Sequence, residues 1–380
     1  MALVEICQFT YTYPGKKEPA LRNINLSIES GSFTLITGAS GSGKSTLGKA
    51  IAGFLFEDEE PKLSGEIVVN GTDMSQLALF DACDLVTYVQ QNPEDQFCTL
   101  TVKDEIAFGL ENLRVEPAAI EETINFTLDI VRGAELKNRD LATLSGGEKQ
   151  KIAIASMLAL TPDVVILDEP TSNLDPIATK HIFETLHHIR QSQNLTIIII
   201  EHKLSQLLEF NPDIIELDQG QIRQNKQVQR NVFYPDLLAK NIKRQVCLPE
   251  VSEAKSSSII DLSQMNVSLG EKHVLFNINL VMFPGEFVAL MGPNGSGKST
   301  LLETIMGFHQ AQSGKGSVFD HDLAKAKTSD LVSDIGYVFQ NPDHQLFMQS
   351  VLDESILTSK NLKLSKGKYQ SEAVNWLKRA

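Results

Sequence analysis

The chain contains a long internal repeat, which limits the possible folds more than any other feature of the sequence. Residues 21–54 align without a gap to residues 275–308, and 18 of the 34 aligned positions are identical. A second block follows in both copies, where residues 88–93 match residues 337–342. A repeat of this length predicts a duplicated domain rather than a short solenoid unit.

The domain boundaries follow from turn and composition signals. The chain has 380 residues, which is sufficient for two domains that each bury a hydrophobic core. The segment Asp218–Gln221 predicts a turn between two short strands that close the first domain. Residues 223–258 are polar and typical of a connector. We therefore expect domains at 1–222 and 259–380.

Apolar segments alternate with helical patterns, which is typical of an α/β fold with a buried parallel sheet. Helices are expected after Lys44 and after Glu148, and a third over 175–192, where His187 and His188 are expected to face solvent. The predicted strands are Phe33–Thr37, Val164–Leu167 and Thr196–Ile200, and two further helix starts are predicted at Thr101 and Ser350.

The composition excludes several classes of protein. Hydrophobic residues make up 42% of the chain and charged residues 22%, which excludes disordered and coiled-coil proteins. The net charge of −14 argues against a nucleic-acid partner. The four cysteines have no CxxC spacing, so neither a disulfide framework nor a zinc site is indicated. Without a signal peptide or an apolar run of about 18 residues, we expect a soluble chain whose role at a membrane depends on partner subunits.

Two segments match the phosphate-binding pattern G-x-x-x-x-G-K-[ST]. The glycines of this pattern let backbone N–H groups surround phosphate oxygens, and the following helix directs its positive end toward them. Lys44 and Lys298 are expected to reach the β- and γ-phosphates of ATP, and Ser45 and Ser299 to ligate Mg²⁺. A Gly-rich turn that matches by chance is the alternative, and the recurrence of the pattern in register argues against it. The expected nucleotide-binding residues are Gly38, Ala39, Ser40, Gly41, Ser42, Gly43, Lys44, Ser45 and Thr46 in the first copy, and Gly292, Pro293, Asn294, Gly295, Ser296, Gly297, Lys298, Ser299 and Thr300 in the second.

A predicted buried strand ends in two carboxylates, Asp168 and Glu169. Asp168 is where a water-bridged Mg²⁺ ligand is expected, and Glu169 can polarise the attacking water. Strands also end in solvated acids that have no function, so the motif depends on its context. Upstream, Ser145, Gly146 and Gly147 open a helix whose N–H groups form another phosphate-facing helix start.

Together these motifs resemble the nucleotide-binding subunits of ABC transporters. The resemblance implies tandem P-loop NTPase domains, each with a mainly parallel sheet, an antiparallel β subdomain and a helical signature subdomain, the second domain being incomplete. It also implies an ATPase with ATP and Mg²⁺ as cofactors. By this resemblance, Leu144–Glu148 is the signature sequence, with Ser145, Gly146 and Gly147 as nucleotide contacts, and 172–175 is the D-loop. Asp168 is an implied metal ligand, and Glu169 is the implied catalytic carboxylate that polarises the attacking water.

The resemblance assigns further roles to individual residues. Gln91 is the implied Q-loop glutamine and His202 the implied switch histidine, both in catalytic roles. Gln91 is preferred to Gln90 because it matches Gln340 in the second copy, and both Gln91 and Gln340 are implied metal contacts. Tyr13 lies where the family stacks an aromatic ring on adenine. A structural role for His202 and simple surface packing for Tyr13 are the alternatives.

The segments at 91–97 and 340–347 resemble the region after the Q-loop in energy-coupling factor (ECF) ATPases, which power vitamin and metal uptake. The implied partners are a transmembrane scaffold subunit and a substrate-capture subunit. Self-association and a second ATPase subunit both stay open. The implied location is peripheral, on the cytoplasmic face of the cell membrane. Fused ATPase domains are known in importers of thiamine or its pyrimidine precursor, but the sequence itself names no substrate.

Two other functions compete with this interpretation. A tandem ATPase of the ABC-F kind acts on ribosomes, but its connector is usually a long charged hairpin, whereas about 36 residues connect the domains here. The negative net charge also disfavours contacts with ribosomal RNA. A sugar-importer ATPase is disfavoured because its chains do not typically carry the Gln-Asn-Pro segment that occurs twice here.

The second copy departs from the family pattern in two ways. Leu269 stands at the adenine-stacking position, which predicts weaker nucleotide binding there because aromatic stacking is worth about 0.5–1.5 kcal/mol. The signature serine follows Gln91 by 54 residues, and the same spacing from Gln340 passes Ala380. The second copy therefore lacks the signature and the catalytic acids, and we expect the chain to be a shortened version of a longer protein.

Overall fold

The computed structural model describes residues 2–56, 62–172, 174–202, 204–223, 257–270, 272–339, 345–361 and 366–379. The chain divides into two compact units, Met1–Pro249 and Glu250–Ala380. The expected connector lies outside the described residues except at its two ends. At its N-terminal end, Arg223 pairs with Glu216 as the last residue of a β-hairpin.

The first unit alternates strands and helices. Its strands are β1 (Ala2–Thr12), β2 (Leu21–Glu29), β3 (Phe33–Gly38), β4 (Lys62–Val69), β5 (Thr72–Asp73), β6 (Val86–Val89), β7 (Val164–Asp168), β8 (Thr196–Ile200), β9 (Asp213–Asp218) and β10 (Gln221–Arg223). Its helices are α1 (Lys44–Ile51), α2 (Leu79–Ala82), α3 (Val102–Asn112), α4 (Pro117–Ile130), α5 (Gly146–Ala159), α6 (Pro176–Gln193) and α7 (Leu204–Leu207). The strands and helices predicted in this unit, and the turn between β9 and β10, are confirmed.

Two sheets form in the first unit. The smaller one is antiparallel with the order β2-β1-β4-β5, and the larger one has the order β10-β9-β3-β8-β7-β6. In the larger sheet β3, β6, β7, β8 and β9 run parallel, and β10 pairs antiparallel at the edge. This arrangement confirms the mixed α/β fold class.

Strands β7 and β8 are mostly apolar because both faces of the larger sheet are covered there. All five residues of β7 and all five of β8 are buried. Val165 and Ile197 belong to the cluster that includes α3, α4 and α5, whereas Ile166 and Ile198 belong to the cluster that includes α1 and the antiparallel sheet. Successive side chains of a strand point to opposite faces, so a strand that is covered on both faces needs consecutive apolar residues.

The helix starts follow the predicted capping chemistry. The Thr101 hydroxyl accepts a hydrogen bond from the Asp104 backbone N–H at the start of α3, and Asp175 accepts two such bonds at the start of α6. On α6 one expectation is wrong. His187 does not face solvent, because its ring packs against Phe33 and Phe210 with centroid separations of 6.2 and 5.1 Å.

The second unit repeats only part of this plan. Its strands are β11 (Ile260–Leu269), β12 (Lys272–Met282), β13 (Ser313–Val318) and β14 (His321–Asp322), and its helices are α8 (Lys298–Ile305), α9 (Thr328–Leu331), α10 (Val351–Asn361) and α11 (Lys366–Leu377). The four strands form an antiparallel sheet in the order β12-β11-β13-β14. The helix start predicted at Ser350 is confirmed, because its hydroxyl accepts a bond from the Asp353 N–H at 3.1 Å.

No parallel strand pair occurs among the described residues of the second unit, so the expected parallel core is found in the first unit alone. The segment 287–291 corresponds to β3 in the repeat, yet Phe287 is 100% exposed whereas Phe33 is 2% exposed. In the first unit β3 is held between β8 and β9. Strand formation requires partners for the backbone groups of the segment, which β8 and β9 supply to β3.

None of the helices in the part of the chain that the structure describes is long and apolar enough to cross a membrane.

Candidate active site

The loop between β3 and α1 has the backbone shape that the phosphate-binding pattern requires. Gly38, Gly41 and Gly43 have φ angles of 147°, 76° and 102°. A Cβ atom on Gly38 would lie 2.1 Å from the carbonyl oxygen of Leu217 on β9, so only glycine fits there. The loop leads directly into α1, and its backbone N–H groups form the start of a helix suited to phosphate.

The side chain of Lys44, the first residue of α1, is directed back toward the phosphate loop. Its ammonium group donates hydrogen bonds to the carbonyl oxygens of Gly38 and Ala39 at 3.2 and 2.9 Å. The side chain is buried, and burial lowers its pKa, while the negative charges of Glu169 and Asp168 act in the opposite direction. The cation is therefore held between the phosphate loop and two carboxylates.

Asp168, the last residue of β7, is fixed through both carboxylate oxygens. The Ser45 hydroxyl donates to Oδ1 at 3.1 Å, and the Tyr88 phenol donates to Oδ2 at 2.5 Å. Burial, and secondarily the charge of Asp168, raise the pKa of Tyr88 well above its ordinary value. Two of the three predicted metal ligands of the first copy, Ser45 and Asp168, are thus brought together.

Glu169 lies where three separate segments meet. Its Oε2 accepts a hydrogen bond from the amide nitrogen of Gln91 at 3.0 Å, and its Oε1 lies 3.0 Å from Nε2 of His202. The backbone of Glu169 has a left-handed φ of 45°, which turns the chain sharply at the end of β7. Glu169 therefore contacts both of the other residues predicted to be catalytic, Gln91 and His202.

The neighbouring Gln90 is used differently. Its backbone N–H donates to the side-chain oxygen of Gln96 at 3.1 Å, which folds the segment after β6 back on itself. Tyr13 lies beside the phosphate loop, where its hydroxyl is 3.1 Å from that of Thr46 and its ring packs edge-on against Tyr11. The predicted D-loop begins at Ser172, whose N–H donates to the Glu169 carbonyl oxygen at 3.1 Å, and Asn173 is outside the described residues.

The predicted signature residues form the start of α5. The Ser145 hydroxyl accepts a bond from the Glu148 N–H, and the Glu148 carboxylate accepts from the Ser145 backbone N–H at 2.7 Å, which completes a capping box. Burial opposes ionisation of Glu148, but the Ser145 donors and Arg139 together hold its pKa below the ordinary value. Lys149 in the next position forms an ion pair with Glu94, so α5 is tied to the segment after Gln91.

The phosphate loop of the second unit has the same conformation as the first. Gly292, Gly295 and Gly297 have φ angles of 156°, 77° and 89°, and Lys298 donates to the carbonyl oxygens of Gly292 and Pro293 at 2.8 and 2.7 Å. Its surroundings differ, because Lys298 is part-exposed where Lys44 is buried. Gln340 lies outside the described residues.

Two residues of the site were not predicted from the sequence. Tyr88 contacts Asp168, and its recurrence as Tyr337 in the repeated block was the signal that could have revealed it. Glu201 is 2% exposed and accepts hydrogen bonds from the Thr171 hydroxyl and the His202 backbone N–H. Glu201 belongs to the segment Glu201-His202, which suits the ECF resemblance, but no role of its own was predicted for it.

Comparison with protein families gives a match to the ABC transporter family at residues 21–172 and 275–380. A Methanosarcina mazei protein with the provisional name ABC transporter ATP-binding protein is 33% identical to this chain over 414 residues. The match covers 96% of this chain and 70% of that protein. A Bacillus subtilis (strain 168) protein provisionally named HMP/thiamine import ATP-binding protein YkoD is 32% identical, with 94% of this chain and 71% of that protein covered.

Solved structures are similar as well. The structure of cbiO1 from Clostridium perfringens, described as part of the ABC transporter complex cbiONQ, matches with a TM-score of 0.55 and 26% identity over 63% of this chain and 92% of that chain. The ATP-binding cassette MJ0796, in a dimeric post-hydrolysis state bound to ADP and Pi, matches with a TM-score of 0.52 and 26% identity over 60% of this chain and 99% of that chain.

Proposed function

We propose a transport function for this chain, which belongs to the ABC transporter family of ATP-binding proteins. Members of this family bind and hydrolyse ATP and work with transmembrane partners. Our proposal goes further: the chain is the motor subunit of an ECF-type importer for a vitamin or a metal ion. In this proposal it is peripheral to the cytoplasmic face of the cell membrane, where ATP hydrolysis drives a transmembrane scaffold subunit.

The observation that carries the hydrolytic part of the proposal is the position of Glu169 between Gln91 and His202. A carboxylate oriented on both oxygens suits a general base that accepts a proton from the attacking water at one Oε atom. We assign that role to Glu169 and an orienting role to Gln91 and His202. Lys44 would exchange its two carbonyl partners for β- and γ-phosphate oxygens of ATP.

The donor set around Ser45 fits Mg²⁺. Ser45 and Asp168 supply a hydroxyl and a carboxylate, which are hard oxygen ligands, and Mg²⁺ in phosphate-transfer sites usually takes only one or two protein carboxylates. Gln91 contacts Glu169 through its amide nitrogen, which leaves the amide oxygen as a further donor. When bound, the metal supplies charge neutralisation on the phosphates. The chain's own contribution is to hold these oxygens in place.

The ECF type is supported by two kinds of observation. The B. subtilis relative is named for HMP/thiamine import, and the C. perfringens structure is described as part of a transporter complex. The Gln-Asn-Pro segment also occurs twice in this chain. A substrate-capture subunit would then select the transported compound, and we propose thiamine or its pyrimidine precursor as the first compounds to test.

We also propose that the two units are two copies of one ATPase domain, at 1–222 and 259–380. Equivalent hydrogen bonds support this proposal. The Gln90 N–H donates to Gln96 in the first copy, and the Phe339 N–H donates to Gln345 in the second. Both the donors and the acceptors are separated by the repeat offset of 249 residues.

The hydrolysis mechanism is tested with the full chain carrying Lys298→Ala, which limits nucleotide binding to the first loop. We expect Glu169→Gln to lower phosphate release by about 10²-fold or more while ATP binding is kept. Lys44→Ala is the matched variant and is expected to lose ATP binding. Phosphate release unchanged by Glu169→Gln would exclude Glu169 as the base.

The transport role requires a separate test in cells. We expect the tagged chain to co-purify from membranes with a transmembrane scaffold subunit, and we expect Glu169→Gln to abolish uptake of labelled thiamine or of its pyrimidine precursor. Co-sedimentation with ribosomes and absence from membranes would contradict the proposal.

A further inference from the structure

Tyr88 occupies a fixed position beside the end of β7. It lies on β6, opposite Ile166 in the parallel pairing of β6 with β7, and is 7% exposed. Its phenol donates to Asp168 Oδ2 at 2.5 Å, which brings a hydroxyl donor from the edge strand to the carboxylate. The bond is charge-assisted, and such bonds are stronger than those between neutral groups.

The ring of Tyr88 has little freedom to move. The Phe54 ring contacts it edge-on with a centroid separation of 5.7 Å. Helix α1 also approaches the ring at Gly48, where a Cβ atom would lie 3.1 Å from Cε2 of Tyr88 and 2.9 Å from Cδ1 of Ile200. Packing this close fixes the rotamer of a buried aromatic ring. The Tyr88 hydroxyl is therefore held beside its acceptor, Asp168 Oδ2.

The two oxygens of Asp168 therefore have different partners. Oδ1 accepts from Ser45, the helix residue that would ligate the metal, and Oδ2 accepts from Tyr88. A bond to Oδ2 from a fixed ring prevents the carboxylate from rotating and keeps Oδ1 directed toward Ser45. We propose that Tyr88 is a positioning residue that holds Asp168 in the orientation required for metal binding at the first nucleotide site.

The inference rests on the Mg²⁺ site proposed above, and its test uses Mn²⁺ as the probe. The full chain with Lys298→Ala is saturated with a non-hydrolysable ATP analogue and titrated with Mn²⁺, while free Mn²⁺ is measured by electron paramagnetic resonance. We expect Tyr88→Phe to weaken Mn²⁺ binding about tenfold, because one hydrogen bond to the charged carboxylate is lost. Affinity for the analogue in EDTA should change less than about twofold.

The matched control is Thr87→Val, the preceding residue on β6. Thr87 is 2% exposed, and its hydroxyl has no hydrogen-bond partner among the described residues. Removing it deletes a buried hydroxyl from the same strand without touching Asp168, so we expect wild-type Mn²⁺ affinity. Equal Mn²⁺ affinity in Tyr88→Phe and Thr87→Val would overturn the inference. Failure of the analogue to bind even without metal would instead count against the proposed function.

A second measurement applies even if Tyr88→Phe does not fold. 3-Fluorotyrosine placed at position 88 keeps the ring and the hydroxyl and reports on both by ¹⁹F NMR. With the ATP analogue already bound, Mg²⁺ should shift the resonance, because the carboxylate that accepts from this hydroxyl changes its surroundings. A resonance that does not move when Mg²⁺ binds would mean that Tyr88 has only a packing role.

Discussion

The Thr171 hydroxyl donates to the buried carboxylate of Glu201, with 2.5 Å between Oγ1 and Oε2. Glu201 also accepts the backbone N–H of His202 through Oε1 at 2.8 Å. Thr171 follows Glu169 by two residues, so Glu201 joins the two chain segments that carry Glu169 and His202. The contact between Glu169 and His202 therefore depends on a second, deeper link between the same segments.

Removing that link is expected to affect both stability and catalysis. Thr171→Val leaves the buried carboxylate with one donor fewer, and we expect the free energy of unfolding to fall by about 1–3 kcal/mol. The rate of ATP hydrolysis should fall as well, because the loop that follows Glu169 loses its anchor. Denaturant unfolding and phosphate release are the measurements.

The interpretation is checked by a double-mutant cycle. The losses from Thr171→Val and Glu201→Gln should be less than additive if the two side chains act through one bond. Fully additive losses would show that the bond contributes nothing of its own.

The phosphate-loop glycines differ in how strictly they are required. Gly38 pairs with Leu217 in the parallel ladder of β3 and β9, and an added Cβ would collide with a backbone oxygen that the sheet holds in place. Gly41 has a left-handed φ but open space around it. We expect Gly41→Ala to cost about 1–2 kcal/mol from its backbone conformation alone, and Gly38→Ala to cost clearly more. Thermal unfolding without nucleotide compares them, and equal losses would contradict the collision at Gly38.

Most of the first nucleotide site could be predicted because its residues belong to local patterns. Each part of the site lies at the end of a strand of the same parallel sheet. The phosphate loop follows β3, the two carboxylates lie at the end of β7, and the histidine follows β8. The carboxyl ends of parallel strands share one edge of the sheet, which is why Lys44, Asp168 and His202 lie near one another. Proximity of this kind is a property of the topology and needs no knowledge of side-chain packing.

The remaining contacts could not be predicted, since they depend on packing between distant segments. Glu201 is hydrogen-bonded while buried, and nothing in its sequence context separates it from a solvated acid. His187 was wrongly placed in solvent because its helical face is shared with a long apolar stripe that packs on Phe33. The exposure of Phe287 was likewise not predictable from its own sequence, because a strand is only formed when neighbouring strands are present.

The capping box at the start of α5 predicts a pH dependence. The pKa of Glu148 is lowered in the folded chain from its ordinary value of 4.5, so its contribution to stability is present above that value and is lost as the pH falls through the folded pKa. Glu148→Gln should cost about 0.5–1 kcal/mol at pH 7, discounted for partial exposure of the side chain. In denaturant titrations, this difference between variant and wild type should shrink below pH 4.5. A difference that is constant with pH would contradict the role of the charged form.

The same set of hydrogen bonds occurs in both units with different burial. Glu105 is 5% exposed and accepts from the N–H groups of Cys98 and Thr99, whereas part-exposed Glu354 accepts from the N–H groups of Phe347 and Met348.

Truncation at the two positions is therefore expected to have unequal effects. Glu105→Ala removes a buried carboxylate from two part-buried N–H groups, which we expect to cost about 1–3 kcal/mol. Glu354 is more exposed, so water can replace its carboxylate in Glu354→Ala at a cost below about 1 kcal/mol. Hydrogen exchange followed by mass spectrometry should show a large loss of amide protection around Thr99 in the first variant and a small loss around Met348 in the second. Equal losses of amide protection would mean that burial does not set the strength of the hydrogen bonds to Glu105 and Glu354. The Gln90–Gln96 bond and its counterpart in the second unit would then maintain the conformation of these segments.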